Sequence, residues 1–370
     1  MRFPEFHGEW EKYKLGDIAI LTKGSGISKD QRSATGTPCI LYGELYTTYK
    51  SEVIDYVVSK TDISDRNLVR SCANDIIIPS SGETAIDIST ARCVLSPDVL
   101  LGGDLNIIRL KDGDGRFFSY QLNGVRKYDI AKIAQGVSVV HLYGESIKGL
   151  TVSFPSNKEQ QKISTLLSLI DERIATQSKL IEDLKKLKCA IAERIFKVTI
   201  GDVVALSDVC NIQKGKQVNG DCLSENGTYY VMNGGTEPSG YYEQCNTTAD
   251  TISISEGGNS CGYIQYNREA FWSGGHCYTL TNIQSNVCNL YLYHYLKSKE
   301  SAIMKLRIGT GLPNIQKKDL EKVAVLLPPV AKQVRISTFL TAVDRKATNE
   351  EILLRHFQEE KQYLLHQMFI

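Results

Sequence analysis

Lys162-Ile-Ser-Thr-Leu-Leu-Ser-Leu-Ile-Asp171 returns 173 residues later as Arg335-Ile-Ser-Thr-Phe-Leu-Thr-Ala-Val-Asp344. The same offset extends upstream, where Gly136–Pro155 runs against Gly309–Pro328 and Gln160 against Gln333. A second register, offset by 191, sets Leu15-Gly-Asp-Ile18 and Thr22-Lys-Gly24 against Leu206-Ser-Asp-Val209 and Gln213-Lys-Gly215. The chain holds two unlike copies of one unit. A protein built this way is expected to recognise something with two halves.

Each decamer opens a stretch free of Gly and Pro, 158–197 and 331–369, and each stretch reads as one helix. At about 1.5 Å per residue each is roughly 60 Å long. Ser156-Asn-Lys-Glu159 has the form of a capping box, Pro328-Pro329 is pre-set for a first helical turn, and Gly201 is placed to stop the first helix. Apolar residues alternate at spacings of four and three: Ile163, Leu167, Ile170, Ile174, Ile181, Leu184, Ile191, Ile195. Shifted by 173, the seam reads Ile336, Leu340, Val343, Ala347, Leu354, Phe357, Leu364, Met368. Its polar interruptions coincide, Gln177 with Glu350 and Lys188 with Lys361, as expected of residues that fix register at a cost in stability.

The segments outside the helices have short β-rich runs, such as Ile76-Ile-Ile78, Asn106–Leu110 and Thr251–Ser255. Gly-rich turns break them, among them Ser80-Ser-Gly82, Gly102-Gly103 and Glu256-Gly-Gly-Asn259. The predicted fold class is α+β: two β-rich globular domains, 1–155 and 201–329, joined by a central helix, 156–200, and a C-terminal helix, 330–370. A compact domain has its ends close together. The helices are therefore expected to pair as an antiparallel coiled coil with a pseudo-twofold between the copies, acting as a spacer that holds two readers.

Composition bounds the function. Of 370 residues, 43 are basic and 42 acidic, a balance that argues against nonspecific coating of nucleic acid and requires any DNA contact to come from local patches. No apolar run is long enough for a transmembrane helix, and the N-terminus lacks the apolar core of a signal peptide, so a cytoplasmic location is expected. The ten cysteines include no C-x-x-C pair and read as free thiols. Gly24-Ser-Gly-Ile-Ser-Lys29 has the wrong spacing for a phosphate loop, and neither dinucleotide fingerprint nor metal-ligand spacing is present. The sequence thus points to no catalytic site and no cofactor or metal of its own.

The chain resembles the specificity subunit of type I restriction–modification systems over nearly its whole length. The resemblance rests on Arg2-Phe-Pro-Glu-Phe6, Gly8-Glu-Trp10, Leu15-Gly-Asp17, Gly136-Val-Ser-Val-Val-His-Leu-Tyr143, Gly309-Thr-Gly-Leu-Pro-Asn-Ile315 and Leu327-Pro-Pro329, in that order. It implies two target-recognition domains, each reading half of a split double-stranded DNA sequence. It also implies helices that set the spacing and dock two copies of a DNA-adenine methyltransferase subunit, and a complex that recruits ATP-driven restriction subunits. S-adenosylmethionine and ATP would belong to those partners.

Base readout needs side chains on loops or element ends. By that criterion the candidates in the first domain are Lys23, Ser25, Ser80, Ser81, Thr84, Arg92, Gln135, Ser138 and His141. Those in the second are Lys214, Lys216, Glu256, Asn259, Ser260, Thr310 and Asn314. Lys23 and Lys214 recur in both copies, which suits phosphate better than bases. Two other classes stand beside this reading: an enzyme with a site spanning the two domains, and a coiled-coil scaffold whose domains bind protein or glycan. Divergence inside the domains, with agreement near the helices, favours an asymmetric bipartite target.

Overall fold

The short apolar runs of the first domain become β1 (Ala19–Lys23), β2 (Val53–Ile54), β3 (Asp75–Pro79), β4 (Arg92–Val94) and β5 (Leu105–Leu110). In this computed structural model, which describes residues 2–63, 67–309 and 311–369, they form one sheet in the order β1-β5-β3-β4-β2. All pairs are antiparallel except β2 with β4. The triple isoleucine falls in the middle strand, which is buried along its whole length, and a strand covered on both faces reads as a continuous apolar run. Helix α1 (Gly115–Asn123) is capped by Asp114, whose side chain accepts a hydrogen bond from the Arg116 amide. It buries Phe117, Phe118, Tyr120 and Leu122 in the core.

Helix α2 (Asn157–Val198) leads to the second domain, where β6 (Asn211–Lys214), β7 (Thr251–Ser255), β8 (Ile264–Asn267) and β9 (Cys277–Thr281) pair in the order β6-β9-β7-β8. Helix α3 (Asn289–Ser298) and the long helix α4 (Val330–Met368) follow. The order repeats the first four places of the first sheet. Among the described residues β2 has no counterpart, so β8 is an edge strand.

Each domain is tied shut by a two-stranded ladder between its first and last residues, Glu11–Lys14 with Thr151–Phe154 and Asp202–Ala205 with Ala324–Leu327. Where each ladder hands over to a long helix, a buried glutamine makes the joint. Gln160 donates to the Pro155 carbonyl at 2.8 Å and accepts from the Asp114 amide at 3.0 Å. Gln333 donates to the Pro328 carbonyl at 2.9 Å and accepts from the Cys288 amide at 2.8 Å. This joint explains why Gln160 and Gln333 recur in the repeat. The capping box is a correction: the Glu159 carboxylate does not turn back to the helix start but holds Arg2 through two hydrogen bonds of 2.7 and 2.8 Å. A guanidinium matches a carboxylate better than a lone amide does.

The chain divides into two compact units, Met1–Ser178 with Ile352–Ile370, and Lys179–Glu351, so each long helix contributes to both. In the first unit Lys361 lies 2.6 Å from Asp171, and Phe357 lies under Arg173. In the second, Lys185 lies 2.6 Å from Glu351, and Lys188 pairs with Asp344. As numbers rise on α2 they fall on α4, so within each unit the helices run antiparallel. Each domain core is finished by both helices. Ile163, Leu167, Leu364, Leu365, Met368 and Phe369 join the first core, and Ala192, Phe196, Ile336 and Leu340 the second.

Candidate nucleic-acid interface

The repeated Lys-Gly pair lies at the end of the first strand of each sheet. Gly24 donates its amide to the Leu105 carbonyl at 3.0 Å, and Gly215 donates to the Cys277 carbonyl at 2.8 Å. A Cβ on either glycine would stand 2.0 Å from the Gly102 oxygen or 2.2 Å from the Gly274 oxygen, so only glycine fits. This close approach fixes the preceding lysine. Lys23 is exposed and makes no hydrogen bond or ion pair among the described residues, whereas Lys214 donates to Glu256 at 2.7 Å.

Two strands away, the end of β3 meets the second repeated motif. His141 pairs with Ser81, and the Leu142 amide donates to the Ser80 carbonyl. Gln135 and His141 exchange two backbone hydrogen bonds and close a loop whose exposed tip carries Ser138. The second domain repeats the construction: Ile308 and Asn314 exchange the same two bonds, Asn314 bridges to Gly257, and the Ile315 amide donates to the Glu256 carbonyl. Gly136 and Gly309 open these loops at φ of +121° and +98°. In the second domain Glu256 is the node. It is 8% exposed and accepts from Tyr278 at 2.9 Å as well as from Lys214, with His276 3.6 Å away. Desolvation, then the hydrogen bond to Glu256, pushes the Tyr278 hydroxyl well above its ordinary range.

The structure thus brings Lys23, Ser80, Ser81, Gln135, Ser138 and His141 to one end of the first sheet, and Lys214, Glu256, Ser260 and Asn314 to the matching end of the second. Ser25 adjoins Lys23 but spends its hydroxyl on the Val69 amide. Thr84 caps the short helix Ala85–Ile88. Ser260 donates to the Gly234 carbonyl at 2.6 Å, Asn259 is exposed beside it, and Lys216 is exposed just beyond Gly215. Thr310 lies outside the described residues. Arg92 is a correction: it is not on a turn but in β4, 7% exposed, with its guanidinium donating to the Leu45 and Tyr49 carbonyls. Burial lowers its pKa, and the group is used up inside the domain.

Sequence reasoning missed His276 and Tyr278. The signal was present, because Gly102-Gly103-Asp104 and Gly274-Gly275-His276 stand at equivalent places before β5 and β9. It also missed Lys29, Gln31, Arg32 and Tyr42, which line an open cleft of about 1050 Å³ next to Gly26 and Asp104. Glu44 anchors this wall, accepting from the Leu41 amide at 2.9 Å and from Arg32 at 3.5 Å. Exposed basic, amide and hydroxyl groups on a rigid scaffold can hold phosphates and read base edges.

Residues 7–186 and 201–354 both match the family described as type I restriction modification DNA specificity domain. The chain belongs to that family. This specificity-family chain is 26% identical over 208 residues to a putative type I specificity subunit of Mycoplasma genitalium, an alignment covering 52% of the chain and 54% of the relative. It thus spans about half the length of that relative and, likewise, of a Mycoplasma pneumoniae one. To the putative type I restriction enzyme MjaX specificity subunit of Methanocaldococcus jannaschii it is 24% identical, over 92% of the chain and 88% of that protein. The crystal structure of a type I restriction–modification system S subunit from M. genitalium shares its fold, with a TM-score of 0.71 at 21% identity over 100% of this chain and 99% of that one. Among the described residues no helix is long and apolar enough to cross a membrane.

Proposed function

We propose that this chain is the non-catalytic, DNA-reading subunit of a type I restriction–modification complex in the cytoplasm. Residues 1–155 and 201–329 are the two target-recognition domains, and 156–200 and 330–370 are the spacer helices. Each domain reads one half of an asymmetric bipartite site. Two copies of a DNA-adenine methyltransferase subunit dock on the parts that the copies share, and ATP-dependent restriction subunits join them. Methyl transfer, ATP hydrolysis and cleavage reside in those partners.

One observation carries the reading. The two domains hold the same backbone device, a Lys-Gly arm beside a closed loop, but dress it differently: Ser80 against Glu256, Ser81 against Gly257, and His141 against Asn314. A shared scaffold with changed side chains is what two different words read by one mechanism require. Lys23, Lys214 and Lys216 suit phosphates, while Ser138, His141, Asn259 and Asn314, with Gln135, Thr84 and Ser260, suit base edges, as does Thr310 by its residue type. Ser25, Ser80, Ser81 and Glu256 set the loops that present them.

The test is selection of bound duplexes from a random pool by the chain assembled with its methyltransferase partner. Two unlike half-sites separated by an unread spacer are expected. A contiguous or palindromic site would overturn the reading.

A further inference from the structure

The second unit lacks, at one place, something that the first supplies from its own chain. In the first unit β2 runs along the outer edge of β4, and the two residues before it reach the long helices. Ser51 donates to Asp171 at 2.8 Å, and the Glu52 carboxylate pairs with Lys361, which also meets Asp171 at 2.6 Å. Tyr120 donates to the same Asp171 at 2.8 Å. The chain just upstream satisfies Arg92 through the carbonyls of Leu45 and Tyr49.

The register of 173 places Lys188, Asp344 and Gln265 where Lys361, Asp171 and Arg92 stand. The glutamine joints match Cys288 with Asp114, so His294, six residues on, takes the place of Tyr120. Lys188 pairs with Asp344, and His294 Nε2 lies 2.9 Å from the Thr341 hydroxyl, as Tyr120 lies 3.3 Å from Ser168. There the likeness ends. Among the described residues no strand lies outside β8, and Lys188 has one carboxylate partner where Lys361 has two. His294 Nδ1 and Gln265 Oε1 are buried without a hydrogen-bond partner. A cavity of about 280 Å³ opens here, lined by Lys188, Tyr266, Arg268, Tyr293, His294 and Asp344 among others. Arg268 is exposed and has no ion-pair partner among the described residues.

We propose that this cavity is a carboxylate-binding site, filled by a glutamate on an extended segment of a protein partner that lies along the free edge of β8. The first unit supplies the template: Ser51-Glu52-Val53 fills the equivalent place along β4. Three forces favour the occupant. A free strand edge is a ready pairing surface. The orphaned His294 Nδ1 gains by donating to the carboxylate, and the orphaned Gln265 Oε1 by accepting from an amide of the segment. Lys188 and Arg268 supply cationic charge for an incoming carboxylate.

The test uses the full chain and a capped peptide with the sequence of residues 48–55, Thr-Tyr-Lys-Ser-Glu-Val-Ile-Asp, followed by calorimetric titration, with acetate as the free-acid arm. The peptide is expected to bind at least tenfold more tightly than acetate, and replacing its Glu by Gln should weaken it roughly tenfold. Lys188→Met should do the same, and so should Arg268→Gln, an exposed change that leaves the core alone. Acetate binding as tightly as the peptide would assign the site to a free acid and overturn the segment. Binding of neither at millimolar concentration, or peptide binding indifferent to Lys188 and Arg268, would overturn the site itself. No nucleic acid enters the experiment, so its failure leaves the DNA-reading proposal untouched.

Discussion

Lys188 and Lys361 occupy equivalent places on the helix seam, yet they should differ in what they hold up. Lys361, Glu52 and Asp171 are each less than a tenth exposed, so Lys361→Met strands two buried carboxylates and should cost about 3–5 kcal/mol. Lys188 and Asp344 are 19% and 30% exposed, and Lys188→Met should cost about 1 kcal/mol. Urea titrations of the two variants check the ordering. His294 gives a pH dependence: burial, with Lys188 nearby and against Asp344, lowers its pKa to about 4. The unfolded chain, with an ordinary value near 6.5, therefore binds more protons between the two values. This contribution to stability is complete above about pH 6.5 and is lost as the pH falls towards 4, by roughly 3 kcal/mol in all. In His294→Gln that part of the pH–stability curve should flatten. At this scale the sequence was a partial guide. The repeat marks Lys23 and Lys214, and the fold sets each at the end of the first strand of its sheet. The sequence misplaced Arg92 because turn-rich text does not reveal a three-residue strand whose arginine is consumed by the carbonyls of Leu45 and Tyr49.

The long helices were legible because their signals are local: absence of Gly and Pro, and a seam whose members are buried or half-buried in the fold. The contacts that hold their starts were not, since Glu159 pairs with Arg2 from 157 positions away, and the glutamines that make the joints reach across each domain. Gln333→Ala would leave the Cys288 amide and the Pro328 carbonyl without that partner, at a cost of about 2–3 kcal/mol. Gln160→Ala should match it, and denaturation followed by circular dichroism compares the pair. The strand β2 was equally hidden. Two residues, Val53 and Ile54, carry too little pattern to announce a strand, and its parallel pairing with β4 depends on a crossover that no short window contains.

In the folded chain Leu364, Leu365, Met368 and Phe369 belong to the first core. Phe369 is 4% exposed, its ring 5.1 Å from that of Phe117 and 6.3 Å from that of Trp10. Phe369→Ala should cost the first unit about 3–5 kcal/mol. Tryptophan emission during denaturation should show an early transition from Trp10 while Trp272, the other tryptophan, reports the second unit unchanged. If the helices set the spacing of the half-sites, inserting one heptad into each, near 177 and 350, should lengthen the unread spacer and leave both half-site sequences intact. Mapping methylated positions would check this, and changed bases with an unchanged spacer would count against it. The sharing of each helix between the two units also matters for anyone exchanging reading heads between relatives. A crossover at residue 156 would transplant a domain without Ile163, Leu167, Met368 and Phe369, and the graft would have to fit a stranger's helices. Junctions near 178 and 352, where the units part, carry each head across with its own half of both helices, so a working exchange needs two cuts rather than one.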